Sequence, residues 1–144
     1  MNNSRRNFMK TSMFVGVAGV IGTSLTACTS NNESSSKITL SSSKGVIYSF
    51  EDQGRWKGKS DSHSPIISVN GKTVTVETNH GMSESHYIVK HTLLSEIGEV
   101  LGEKVFTPKD ERAISTFELK EDFKHLFATS FCNLHDMWIS EYKA

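Results

Sequence analysis

Ile66-Ile67-Ser68-Val69-Asn70-Gly71-Lys72-Thr73-Val74-Thr75-Val76-Glu77 is the stretch that decides the fold class. Two short runs rich in β-branched residues flank Asn70-Gly71, and Asn-Gly between such runs is a strong hairpin signal. The same kind of run recurs on both sides. Val46–Phe50 is a candidate strand upstream. Downstream come His86–Leu94, Val100–Phe106 (interrupted by Gly102), Ala113–Leu119, Leu126–Phe131 and Met137–Tyr142. In Ala113–Leu119 the alternation puts Ile114, Thr116 and Glu118 on one face. Only Ser83–Ser85 and Glu121–Lys124 leave room for a single helical turn. Short strands at this spacing predict an all-β fold, an immunoglobulin-like antiparallel β-sandwich of about seven strands. The chain contains no internal repeat.

The front of the chain has a different character. Ser4-Arg5-Arg6-Asn7-Phe8-Met9-Lys10 reads as a twin-arginine export signal, and a moderately apolar stretch follows from Met13 to Leu25. Gly16, Gly19 and Gly22 break that stretch, which makes it a poor permanent membrane span. Leu25-Thr26-Ala27-Cys28 resembles a bacterial lipobox, which implies cleavage before Cys28 and lipidation of its sulfur. Residues 28–44 are rich in Ser and Asn, cannot bury a core and read as a flexible tether spanning roughly 20–25 Å on average. The expected organisation is therefore a signal over 1–27, a tether over 28–44 and a folded domain over 45–144. It predicts export by the twin-arginine route and a lipid anchor on the extracytoplasmic side of a membrane. That route carries folded proteins, so a metal can be loaded before transport.

Charge narrows the partners. The 144 residues balance 16 basic against 16 acidic side chains. Removing Arg5, Arg6 and Lys10 with the signal leaves 13 basic residues against 16 acidic ones, a net of −3. No basic patch points to nucleic acid. The chain has two cysteines. If Cys28 carries lipid, Cys132 has no partner for a disulfide, and a lone thiol in an exported protein calls for a role such as metal ligation.

Cys132-Asn133-Leu134-His135 supplies that role. A thiolate and an imidazole lie three positions apart, and His63, His80 and His86 precede them. One cysteine and four histidines can hold one metal ion, and thiolate with imidazole suits iron, copper or zinc rather than calcium or magnesium. Taken singly, each has an ordinary explanation: an isolated histidine in a β-domain is usually at the surface or hydrogen bonded, and a cysteine can be a small buried hydrophobe. The clustering outweighs this, because four of the six histidines fall in the set. The other two, His91 and His125, sit on predicted strands without a partner motif and read as structural or exposed.

Three segments carry a specific resemblance. Asn79-His80-Gly81-Met82-Ser83-Glu84-Ser85-His86-Tyr87-Ile88 is similar to His-Pro-Met-x-x-x-His-Tyr-Ile. Cys132-Asn133-Leu134-His135-Asp136-Met137-Trp138 is similar to Cys-Asn-x-His-Gly-x-Trp. Trp56-Lys57-Gly58, followed by His63-Ser64-Pro65-Ile66-Ile67, is more loosely similar to Trp-x-Gly-Glu-Lys-His-Val-Pro-x-Ile. In this order they resemble the superoxide reductases of the desulfoferrodoxin and neelaredoxin type, over about residues 54–144. The resemblance implies a single non-haem iron with His63, His80, His86 and His135 in a plane and the Cys132 thiolate on the axis. It further implies an open position for superoxide, reduction by one electron to hydrogen peroxide, and an external one-electron donor, rubredoxin-like or another redox protein. It leaves a homo-oligomer open. No Cys-x-x-Cys pair exists for the additional rubredoxin-like iron domain of some members.

The chain departs from the motif before its first histidine. Where the family has Glu-Lys, this sequence has Asp61-Ser62, and the segment from Trp56 to His63 is two residues longer. Lys59 is the candidate for the lysine role, with Lys57 second, and Asp61 stands for the glutamate. Two other readings compete with the enzyme. In a cupredoxin-like electron-transfer protein, Cys132, His135, Met137 and an upstream histidine would form a copper site, although Met137 is close to His135 and the extra histidines go unused. In a non-catalytic metal-binding module the ligands would remain without the lysine.

Overall fold

The structure is a computed structural model that describes residues 45–144. The expected signal, the Cys28 lipidation site and the tether lie outside the described residues. The strands are β1 (Ile47–Tyr48), β2 (Ile66–Asn70), β3 (Thr73–Thr78), β4 (Ile88–Ser95), β5 (Val100–Val105), β6 (Ala113–Glu118), β7 (His125–Cys132) and β8 (Asp136–Lys143). They form two sheets, one ordered β1-β8-β7-β4-β5 and the other β2-β3-β6. The expectation of an all-β sandwich holds. One pairing departs from a purely antiparallel plan, because the two-residue β1 runs parallel to β8.

The β2–β3 hairpin forms with Asn70 opposite Thr73, so the loop is Gly71-Lys72 and not Asn70-Gly71. Only Gly71 there has positive φ, at +59°. Glycine at the first loop position with an ordinary second residue fits a type II′ turn, whose twist matches the strands it joins. Alternation then does its work on β3: Val74, Val76 and Thr78 are buried while Thr73, Thr75 and Glu77 are half-buried. Val74 and Val76 meet Leu93 of β4 and Leu126 and Ala128 of β7 across the sandwich. Gly102, which interrupts the β5 pattern, lies where a Cβ would run into the Phe117 ring of β6. A side chain there would hold the two sheets apart.

A buried polar network also crosses between the sheets. His91 of β4 is fully buried, with Nε2 2.9 Å from Thr78 Oγ1 on β3 and Nδ1 2.9 Å from Ser115 Oγ on β6. Thr78 donates its one hydroxyl proton to Ser130 Oγ on β7. His91 therefore donates from Nε2 and accepts at Nδ1 as a neutral ring, so every member is satisfied. Burial lowers its pKa to about 4.

The two expected helical turns do not form. Ser83–Ser85 belongs to a tight turn closed by reciprocal backbone bonds between Ser83 and His86, and Glu121–Lys124 contains bends only. Helical turns occur instead at Gly54–Trp56 and at α1, Ser60–His63. The α1 helix stops because Ser64 precedes Pro65, and a residue before proline is pushed toward extended backbone; Ser64 has φ −68° and ψ 127°. Among the described residues no helix is long and apolar enough to cross a membrane.

Candidate metal centre

The site sits where the ends of β3 and β7 meet the starts of β2, β4 and β8. Each donor is delivered by an element end. His63 closes α1, His80 follows β3, His86 precedes β4, Cys132 ends β7, and His135 lies in the turn to β8. On β7, Leu126, Ala128 and Ser130 face the core, so Cys132 reaches the core face at the strand's last position. A register shift between Ile88 and Lys90 of β4, opposite the end of β7, bends the sheet edge beside the site.

All five side chains anticipated from the sequence come together, with one donor atom of each within 4.8 Å of the others. His63 Nε2 lies 2.9 Å from His135 Nδ1, His135 Nδ1 lies 3.0 Å from His86 Nε2, and His86 Nε2 lies 3.0 Å from His80 Nε2. The sulfur of Cys132 lies 3.6 Å from His135 Nδ1 and 4.0 Å from His80 Nε2. These spacings have a simple origin. Metal–nitrogen bonds of about 2.1 Å at right angles put neighbouring nitrogens about 3.0 Å apart.

Tautomers support the same conclusion. His63 Nδ1 donates to the carbonyl of Lys59 at 3.1 Å, and His80 Nδ1 donates to the carbonyl of Gly81. A neutral imidazole that donates from one nitrogen has only a lone pair on the other. Both Nε2 atoms therefore aim lone pairs into the space they share with the sulfur of Cys132 and the rings of His86 and His135. Converging lone pairs repel unless a cation sits among them, so the donor set fits a metal ion. Protons are poor substitutes there. Burial, followed by the charge on His80, lowers the pKa of His63 to about 4. Burial also lowers those of His80 and His135. It raises the Cys132 thiol, while backbone N–H groups of Leu134 and His135 pull the other way. A metal ion would deprotonate the thiol outright.

Neighbouring groups fix the donors. Asn133 staples the Cys132–His135 turn to the segment that carries His86. Its side chain accepts from Tyr87 N at 3.0 Å and donates to Ser85 O at 3.0 Å, and its own N–H reaches Tyr87 O at 3.2 Å. Trp138 is fully buried and donates from its indole to His135 O at 2.9 Å. The Trp56 ring meets the His135 ring edge-on, with centroids 4.7 Å apart. Its indole N–H donates to Asp136 Oδ2 at 2.9 Å, and Arg55 pairs with the same oxygen.

Three of the donor residues, His63, His80 and His86, line a cleft of about 330 Å³ together with Lys59, Ser62 and Met82, among others. Lys59 is in its wall; Lys57 and Asp61 are not. Asp61 is exposed on α1. Met137 is adjacent in sequence to the core-facing Trp138, so it projects from the other side of β8 and away from the donors. His91 and His125 lie outside the cluster as expected; His125 is near Glu96 and Glu141. Asp136 and Arg55 were not anticipated, though Asp136 stands where the quoted motif has glycine.

No curated protein sequence matches this chain. Among solved structures it is similar to the superoxide reductase (neelaredoxin) of Ignicoccus hospitalis, at 29% identity and a TM-score of 0.55, covering 67% of this chain and 94% of that one. A superoxide reductase solved in the oxidised state is 27% identical, with a TM-score of 0.52 and coverage of 68% and 95%. The single-iron superoxide reductase of Giardia intestinalis, at 23% identity, shares the fold with a TM-score of 0.54 over 58% of this chain and 99% of that one. Residues 54–141 match the family model described as desulfoferrodoxin, and that span holds all five donors. The chain belongs to the desulfoferrodoxin family.

Proposed function

We propose that this protein is a non-haem iron superoxide reductase whose iron is held by His63, His80, His86, His135 and the thiolate of Cys132. The observation that carries this reading is the convergence of those five donor atoms, three of which, on His63, His80 and His86, belong to residues lining a solvent-open cleft. Iron bound there supplies the one electron that, with two protons, converts superoxide to hydrogen peroxide, and an external one-electron donor restores it. Imidazoles keep the site cationic toward a small anion, and the thiolate adds electron density. The N–H groups of Leu134 and His135 that face the sulfur temper its donation.

Lys59 takes the part of the lysine that the family motif places beside its first histidine. Its charge lies in the cleft wall and acts on His80, Cys132 and His135. It draws superoxide inward and gives the cleft a proton donor. Its own backbone carbonyl meanwhile orients His63. Asp61 is outside the cleft wall and is not needed for this.

The Ser4–Lys10 and Leu25–Cys28 segments support export by the twin-arginine route and lipid anchoring at Cys28 on the extracytoplasmic side. There the enzyme would meet superoxide arising beyond the membrane. The test is stoichiometric. A superoxide pulse applied to the reduced, iron-loaded protein should yield one hydrogen peroxide per superoxide, with no dioxygen. Dioxygen in step with peroxide would mean dismutation, and no iron oxidation would leave only a binding module.

A further inference from the structure

Asp136 is the only described residue other than glycine with positive φ, at +61°. It pairs with Cys132 to close the β7–β8 hairpin, so the strained position belongs to the turn that carries Cys132 and His135. Glycine would adopt this backbone freely, and aspartate adopts it at a cost. The carboxylate is therefore the reason to look for a role here. It accepts from Trp56 Nε1 at 2.9 Å and from Arg55, both on the Gly54–Trp56 helical turn that leads into α1 and His63. The Arg55 guanidinium also covers the Trp56 ring, 5.0 Å from its centroid. Trp56 in turn presents its ring edge-on to His135, 4.7 Å between centroids at 86°.

We propose that Asp136 is a positioning residue that locks Trp56 against His135 and ties the Cys132–His135 turn to the segment bearing His63. Two of the four imidazoles and the thiolate are then fixed relative to one another through a single carboxylate oxygen. Arg55 also neutralises that oxygen, so the clamp adds no bare negative charge beside a site meant for an anion. This inference rests on the iron reading above. It adds a determinant of how the iron is held, since groups that orient ligands commonly govern metal retention.

The test compares the iron-loaded full chain with Asp136→Gly, Asp136→Asn and Trp56→Phe. The readouts are the thiolate-to-ferric absorption band and the rate of iron loss to a chelator. Asp136→Gly relieves the backbone strain and so keeps the fold by circular dichroism. It should nevertheless shift or broaden the band and speed iron loss about tenfold or more. Trp56→Phe, which keeps an aromatic ring but loses the N–H, should do the same. Asp136→Asn keeps an acceptor and tolerates positive φ, and should restore iron loss to within about twofold of the parent. A parent-like band and retention in both Asp136→Gly and Trp56→Phe would overturn the clamp. No such band in the parent protein would instead overturn the iron–thiolate reading, and the clamp with it.

Discussion

At the residue scale, chemistry in this protein depends on which nitrogen of each ring is free. His63 and His80 spend their Nδ1 protons on carbonyls of Lys59 and Gly81, so both present Nε2 inward. The identities of the donors were legible in the sequence, because Cys132-x-x-His135 and the His80/His86 spacing survive as short motifs. The Asp136 clamp was not legible. Its meaning depends on a φ value and on a tryptophan 80 positions away in sequence. Lys59 lines the cleft, which supports the role proposed for it. Lys59→Ala should slow the reaction with superoxide about tenfold at low salt, the lower end of electrostatic steering effects. The deficit should shrink as salt screens the charge, measured by pulse kinetics at two ionic strengths. A salt-independent deficit would show that Lys59 acts in some other way.

At the scale of elements, strands were readable and their ends were not. Runs of apolar and β-branched residues located β3, β4, β6, β7 and β8 to within two residues, because such residues fit a pleated surface buried against a second sheet. α1 escaped notice because Lys59-Ser60-Asp61-Ser62-His63 has no apolar periodicity, and its helical turn is set by tertiary contacts and by Pro65. β1 has two residues and takes its direction from β8, which no local pattern encodes. His91 is the pin between sheets, and its titration gives a pH test. The unfolded chain binds a proton here near 6.5 and the folded one only near 4. Between those values the unfolded state holds more protons, so this contribution is complete above 6.5 and is lost as pH falls toward 4. The span is worth on the order of 3 kcal/mol. His91→Gln keeps a donor and an acceptor but cannot titrate. Its denaturant stability should therefore fall less steeply than the parent's across that window, with both proteins in the same metal state. Parallel pH curves would rule out His91 as the source.

For the whole molecule, the sandwich is a frame that brings five loop and strand ends to one place, and the metal completes it. Converging lone pairs disfavour the empty site, and an ion that binds only the folded chain stabilises it by mass action, about 4 kcal/mol at a thousandfold excess over Kd. Stripping iron with a chelator should lower the melting temperature by about 10 °C or more, taking about 4–8 °C per kcal/mol for a domain of this size. Restoring ferrous iron should bring it back. Equal melting curves with and without iron would mean that the cluster does not bind it in the folded state.

X-ray absorption on the fully iron-loaded protein tests the central claim most directly. The account predicts one sulfur and four imidazole nitrogens around each iron, with the sulfur lost in Cys132→Ser. A ligand set of nitrogen and oxygen alone in the parent protein would contradict it.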